Sequence, residues 1–300
     1  MSHPTSHPEA ARGVVAAWFS YLVWGLAPLF WRELQGVSAF ELIAHRTLWS
    51  LLLLFVVLLA QRRLGQVRVA LSSPRTVAVS FATAALLVGN WLTFVWGVNH
   101  GHVVEASLGY FLVPLVNVGC GRLLLGEPLR RAQAIAIGFA AVGVGCLVVQ
   151  LGHVPWIALA LAGTWGGYGL MRKRTTLGAT VGLTVETALI APFALGFLLW
   201  RGHTGDGAWG RVSVGTEGWI MATGAITAIP LVTFAYGARR IRLTTLGVLQ
   251  YITPMVQLAL GVLFYHELFP HERLFGFSLI WAALALYTLD STVRARFASA

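Results

Sequence analysis

Apolar residues run along this chain in long blocks with short polar punctuation between them. The block LLLLFVVLLA at 51–60 shows the type. It does not alternate, as a half-exposed strand or a membrane β-barrel would, and it continues for many turns. Blocks of about 20 apolar residues match a helix crossing a hydrocarbon core of about 30 Å. The pattern predicts spans near 13–31, 40–60, 76–98, 103–125, 131–150, 155–171, 178–199, 218–237, 243–265 and 271–290. Connections are short, and the longest, near 201–218, is rich in Gly, Ser, Thr and Asp. The predicted fold class is an all-α membrane protein with ten transmembrane helices.

The pattern also repeats. Phe94, Gly97, Pro114, Gly121 and Glu127 return 140 residues later as Phe234, Gly237, Pro254, Gly261 and Glu267, and Trp24-Gly25 returns as Trp165-Gly166. Five spans per half is an odd number, so the second half enters the membrane from the opposite side. That defines two inverted five-helix repeats, over 13–150 and 155–290, flanked by tails at 1–12 and 291–300. Inverted repeats place a site at their interface near the membrane midplane and permit alternating access.

Composition changes this picture little. The 300 residues are 57% hydrophobic and 11% charged, against about 25% charged in a soluble domain. The net charge of +10 raises the possibility of a nucleic-acid partner. The cations, however, sit in short clusters between apolar blocks. With the N-terminus inside, fifteen Arg and Lys fall in inside segments, among them Arg62, Arg63, Arg172, Lys173 and Arg174, and four fall outside. The positive-inside bias orients both termini to the cytoplasm and removes the nucleic-acid reading. The tail MSHPTSHPEAAR reads as disordered, with no signal-peptide cleavage site after the first block.

Candidate chemistry sits where polar residues interrupt the spans. Glu186, in GLTVETALIAP, lies about eight residues into its span, roughly 12 Å deep at 1.5 Å per residue. A carboxylate at that depth marks a pathway or a proton relay by default; a structural ion pair is the other reading. The repeat offset sets His45 opposite Glu186. Arg46 follows His45 and requires an anion or a dipole, with Glu105 as a candidate partner. Glu41 shares a helical face with His45 and can pair with it. His45 and Arg46 are expected to line the outer half of a cavity. Tyr110, Gln250 and Tyr251 flank Pro114 and Pro254, each of which deprives a helix of one backbone bond. Trp24 and Asn90 belong to the same aromatic and amide set, which suits an amphipathic ligand; packing or an interfacial anchor is the alternative. Glu127 and Glu267 sit at span ends and read as caps or contacts between repeats.

Other motifs carry less. His266-Glu267 with His271 has the wrong spacing for a zincin helix and contains Pro270. His100 and His102 are too few for a metal site, and Cys120 and Cys146 lie at opposite ends of neighbouring spans. The chain shows no Walker or Gly-rich phosphate loop, so no ATP drive, cofactor or metal enters the reading.

ELIAHRTLWS, NWLTFVWGVNHGHVVEASLGYFLVPLVN, GLTVETALIAP and TTLGVLQYITPMVQLALGVLFYHE closely resemble the RarD family, in the EamA branch of the drug/metabolite transporter superfamily. The resemblance runs from about residue 12 to 290, with one small departure where Ala136 stands opposite Gly276. It implies a ten-helix, two-repeat carrier of the bacterial inner membrane, in a superfamily that mostly exports small metabolites or drugs. The expected function is a secondary transporter of a small organic solute, an exporter working by alternating access, with protons as candidate coupling ion and the lipid bilayer as surroundings. The alternative is a non-transporting membrane enzyme or accessory protein, and no nucleophile–base–orienter set supports an enzyme. The sequence sets no oligomeric state.

Overall fold

The apolar blocks are helical in the computed structural model, which describes residues 7–264 and, beyond them, 275, 276, 278–283 and 285–287. The helices are α1 (His7–Trp31), α2 (Ala39–Ala60), α3 (Leu64–Leu71), α4 (Pro74–Asn99), α5 (Val103–Leu125), α6 (Arg131–Leu151), α7 (Trp156–Arg174), α8 (Ala179–Thr204), α9 (Val214–Ala238), α10 (Leu243–Leu249) and α11 (Ile252–Ala259). A π-helical stretch, Leu260–Phe264, continues α11. No strand occurs among the described residues.

Local chemistry sets the ends. Ser73 caps α4 by accepting from the Thr76 amide at 3.3 Å, with Pro74 in the first turn, and Ser213 caps α9 in the same way at 3.1 Å. α5 stops at Gly126, whose φ of +64° is the left-handed conformation that glycine adopts without a Cβ penalty.

Eight helical segments among the described residues are long and apolar enough to cross a membrane. They correspond to α1, α2, α4, α5, α6, α8, α9 and the run Leu243–Phe264. α7 fills the sixth predicted span in 19 residues, but its last turn carries Arg172, Lys173 and Arg174. Of the tenth predicted span, residues 275, 276, 278–283 and 285–287 are described and helical. His266, Glu267 and His271 lie outside the described residues.

Three features depart from the sequence reading. The tail, expected to be disordered through residue 12, is helical from His7 onward, as part of α1. The connection after α2, expected only to be short, contains a further helix, α3, with Val69 exposed beside Arg68. The ninth span is not one helix. It breaks at Gln250–Tyr251, between α10 and α11, because Pro254 has no N–H to bond the Gln250 carbonyl. That carbonyl instead accepts from the Thr253 amide at 3.1 Å.

The helices approach closely where side chains are small. Gly247 of α10 lies against the Pro114 carbonyl of α5, where a Cβ would sit 2.8 Å from that oxygen. Gly224 of α9 lies against Trp49 of α2 with no more room. Small residues replace hydrophobic driving force in a membrane, since lipid tails are as apolar as leucine. Phe55, Leu59, Phe193 and Leu199 turn their rings and chains outward. The buried centre gathers Tyr21, Val113, Trp165, Tyr168, Leu231 and Phe234 from four helices. Around it α1 packs on α9 and α11, α2 on α8 and α9, α4 on α7 and α8, and α5 on α7 and α10.

Candidate substrate cleft and its charged walls

A cleft of about 390 Å³ opens between α2, α4, α8 and α9. Its polar wall is made by Thr47 and Ser50 of α2, Glu186 and Thr187 of α8, and Thr227 of α9, and its apolar wall by Leu87, Trp91, Leu183 and Leu231. Helical spacing puts the lining together: Thr47 and Ser50 are three apart, as are Leu183 and Glu186, so each pair shares a face.

Glu186 is 2% exposed and fully engaged. Its Oε1 accepts from Thr83 of α4 at 2.8 Å and from Arg172 Nη1 of α7 at 3.1 Å, and its Oε2 accepts from the Tyr168 hydroxyl at 3.4 Å. Arg172 is 1% exposed and also donates through Nη2 to the Ala179 carbonyl at 3.2 Å. Gly182 leaves room for the guanidinium, because any Cβ there would strike it. Arg172, read from sequence as one of a loop triplet, is therefore a buried countercharge. Its spacing of four from Tyr168 is the signal that puts both on one face.

Arg46 stands one turn from Ser50 on α2, and its guanidinium carbon lies 3.4 Å from the ring centroid of Trp91, which lines the cleft. Its Nε is buried without a hydrogen-bond partner. Glu105, expected from sequence as a partner, is spent elsewhere: its Oε1 accepts from the Ile157 amide at 2.7 Å and so caps α7. Tyr110 packs edge-on against Phe94 at 5.8 Å.

His45 does not meet Glu186, its repeat counterpart. Its Nε2 lies 3.8 Å from Glu41 Oε1, so these two do pair, and its ring packs on Trp209 at 5.4 Å. Glu41 also accepts from the Ala208 amide at 2.6 Å and lies 3.9 Å from Arg201. Trp209 reaches Trp49 as well, at 5.7 Å. The cluster fixes the loop after α8 over the end of α2.

The remaining expected residues form two further groups. Gln250 Oε1 accepts from Trp165 Nε1 at 3.2 Å and from Asn117 Nδ2 at 3.5 Å, and the Tyr251 hydroxyl donates to the Phe111 carbonyl at 3.4 Å. Trp24 meets Trp165 edge-on at 5.1 Å and Phe234 at 5.8 Å. Asn90 uses its amide to bind the Leu161 carbonyl and the Thr164 hydroxyl of α7, both at 2.9 Å. Of the eight residues singled out by sequence, Glu186 lines the cleft directly and Arg46 borders it through Trp91. Thr47, Ser50, Thr187 and Thr227 were not singled out, because isolated hydroxyls in apolar helices usually bond their own backbone.

Glu127 acts at one end of the molecule. Gly126 turns the chain so that Glu127 caps α10, accepting from the amides of Leu243 and Thr244 at 2.8 and 3.0 Å. Lys173 Nζ lies 3.5 Å from the same carboxylate and donates to the Ile241 carbonyl. Among the described residues no group of His, Cys, Asp and Glu is arranged to hold a metal.

A polytopic helical protein with a small-molecule cleft among its central helices, walled by hydroxyls and charge, has the build of a membrane transporter. Comparison with known proteins gives the family. The sequence model of the EamA-like transporter family matches residues 11–149 and 154–289. Protein RarD of Streptomyces exfoliatus is 45% identical over 288 residues, covering 96% of this chain and 91% of that protein. The uncharacterized transporter YojE of Bacillus subtilis is 42% identical, covering 95% and 96%, and Protein RarD of Escherichia coli is 35% identical, covering 94% and 96%. A solved structure described only as a crystal structure of a protein shares the fold, with a TM-score of 0.69 at 22% identity over 92% of this chain and 97% of the other. The chain belongs to the EamA-like transporter family, in its RarD branch within the drug/metabolite transporters, and is a multi-pass membrane transporter.

Proposed function

We propose that this protein is a secondary carrier that exports a small organic solute across the bacterial inner membrane by alternating access between two inverted five-helix repeats, over 13–150 and 155–290. In this reading ten helices span the membrane, both termini face the cytoplasm, and Glu186 couples solute movement to protons. One observation carries it: a cleft whose walls are the second and third spans of each half. Leu87 and Trp91 of α4 meet their counterparts Thr227 and Leu231 of α9, each 140 residues on, across that cleft.

The helix contacts support the same exchange. α1 packs on α9 as α7 packs on α4; α5 packs on α7 as α11 packs on α1; α2 packs on α9 as α8 packs on α4. Exchanging the halves returns each of these main contacts, as a two-fold axis between repeats requires. With five spans per half, that axis lies in the membrane plane, and rocking one repeat against the other exposes the cleft to each side in turn. Glu186 faces the cleft and is held by hydroxyl and guanidinium donors, a setting in which a proton can be taken up when Arg172 or Tyr168 moves away.

The test is flux in liposomes with an imposed pH gradient and a panel of amphipathic solutes. Chloramphenicol belongs in the panel, because a relative from Pseudomonas aeruginosa, 28% identical over 288 residues, is named a chloramphenicol-sensitive protein. The reading expects solute-dependent proton movement for at least one compound. Absence of flux across a broad panel would refute it.

A further inference from the structure

We propose that the solute carries an anionic group, a carboxylate or a comparable oxyanion, and that Arg46 binds it against the face of Trp91. The inference rests on the carrier reading above and names the charge class of what is carried.

The argument is a comparison of the charges that border the cleft. Glu186 is matched by Arg172 at 3.1 Å and satisfied further by Thr83 and Tyr168. Arg46 has no such match. Among the described residues no carboxylate pairs with it: Glu41 is held by the Ala208 amide near His45 and Arg201, and Glu105 caps Ile157. Trp91 stacks on the guanidinium at 3.4 Å, yet Nε is buried and bonds nothing. A ring face offsets only part of the cost of burying that nitrogen, and it does not accept the in-plane N–H groups that a planar oxyanion would.

The guanidinium is also well placed for a ligand. Stacking on Trp91 fixes its plane, so less freedom is lost when a planar oxyanion docks along its edge. Thr47 follows Arg46 in sequence, Ser50 lies one turn on, and both line the cleft. An anion at Arg46 thus leaves the rest of a small molecule against Trp91, Leu87 and Leu231. A cationic solute meets the opposite arrangement: the one acid on the cleft wall is already neutralised, and Arg46 repels it.

Protein purified in detergent, probed by thermal melting with benzoate, indole-3-acetate and phenylphosphonate beside the neutral amides of the two carboxylates, tests this directly. The expected result is stabilisation by at least one anion and an apparent affinity for its amide roughly 10–100-fold weaker, the range of one hydrogen bond to a charged group. Arg46→Gln should remove the discrimination while melting no lower without ligand, since it deletes an unmatched cation. Arg46→Lys should keep the preference for anions at reduced affinity. Amides binding as well as the acids, or no anion binding at all, overturns the inference. Liposome flux separates the two readings: flux of amides without acids sinks the anion assignment alone, whereas no flux of any solute sinks the carrier.

Discussion

Replacing Glu186 by Gln tests whether the buried ion pair carries charge compensation, coupling, or both. The amide keeps the shape of the carboxyl. One acceptor remains for Thr83 and Arg172, now 2.8 and 3.1 Å away, and the Tyr168 hydroxyl at 3.4 Å can turn to accept. What disappears is the charge opposite Arg172, a side chain 1% exposed. Breaking a buried pair by removing one partner costs about 3–5 kcal/mol, because the other is left buried and uncompensated. The retained neutral acceptor puts Glu186→Gln at the lower end, about 3 kcal/mol. Denaturant unfolding in mixed micelles measures it. Adding Arg172→Met, which keeps an unbranched apolar stem and removes the second charge, should recover most of that loss. Proton-coupled flux should stay absent in both variants. A loss under about 0.5 kcal/mol for Glu186→Gln would refute the charge argument, and coupled flux restored in the double variant would reduce Glu186 to a structural partner.

Three further outcomes follow from the packing. Gly224→Ala puts a Cβ 2.5–2.7 Å from Trp49, two of those contacts with backbone, so α2 and α9 must separate; a loss of about 1–3 kcal/mol in the same unfolding assay is expected. Glu127→Ala removes the cap of α10 and the carboxylate beside Lys173, and should cost about 1–2 kcal/mol while sparing ligand binding at the cleft. Trp209→Ala frees His45 and Trp49 at the end of α2; with Ser50→Cys as reporter, maleimide labelling from that side should quicken several-fold, and unchanged labelling would show that the loop does not cover the cleft.

Much of the fold was legible because lipid imposes a simple code. A helix that must satisfy its own backbone and face hydrocarbon writes a long apolar run, and α2, α4, α6, α8 and α9 begin and end within a few residues of the runs that predicted them. Glu186 was legible because a carboxylate deep in such a run has few uses. Arg172 was not. It closes an apolar run beside Lys173 and Arg174 and so resembles a positive-inside anchor, and only the third dimension turns it inward against Glu186. His45 and Glu186, equivalent by the repeat, do not meet, for a related reason. Equivalent positions in two repeats share a backbone environment but need not touch, and His45 found Glu41, one turn away on its own helix. The break at Gln250–Tyr251 was hidden because Pro114, its counterpart, leaves α5 continuous.

That last difference bears on how the carrier reading works. The helices exchange neighbours as two-fold symmetry requires, but the side chains on them do not. Arg46 of α2 corresponds to Thr187 of α8, and Trp91 of α4 to Leu231 of α9. Pro114 stands inside one continuous helix, whereas Pro254 stands in the first turn of α11, just after the break. A symmetric scaffold gives the two facing states similar energies, so modest binding or protonation energy suffices to tip one into the other. The asymmetric residues give direction. In the proposed carrier the cation that holds the solute, Arg46, stands on the first repeat, and the acid that couples to protons, Glu186, stands on the second. In the proposed carrier, solute and proton thus act on facing walls of one cleft.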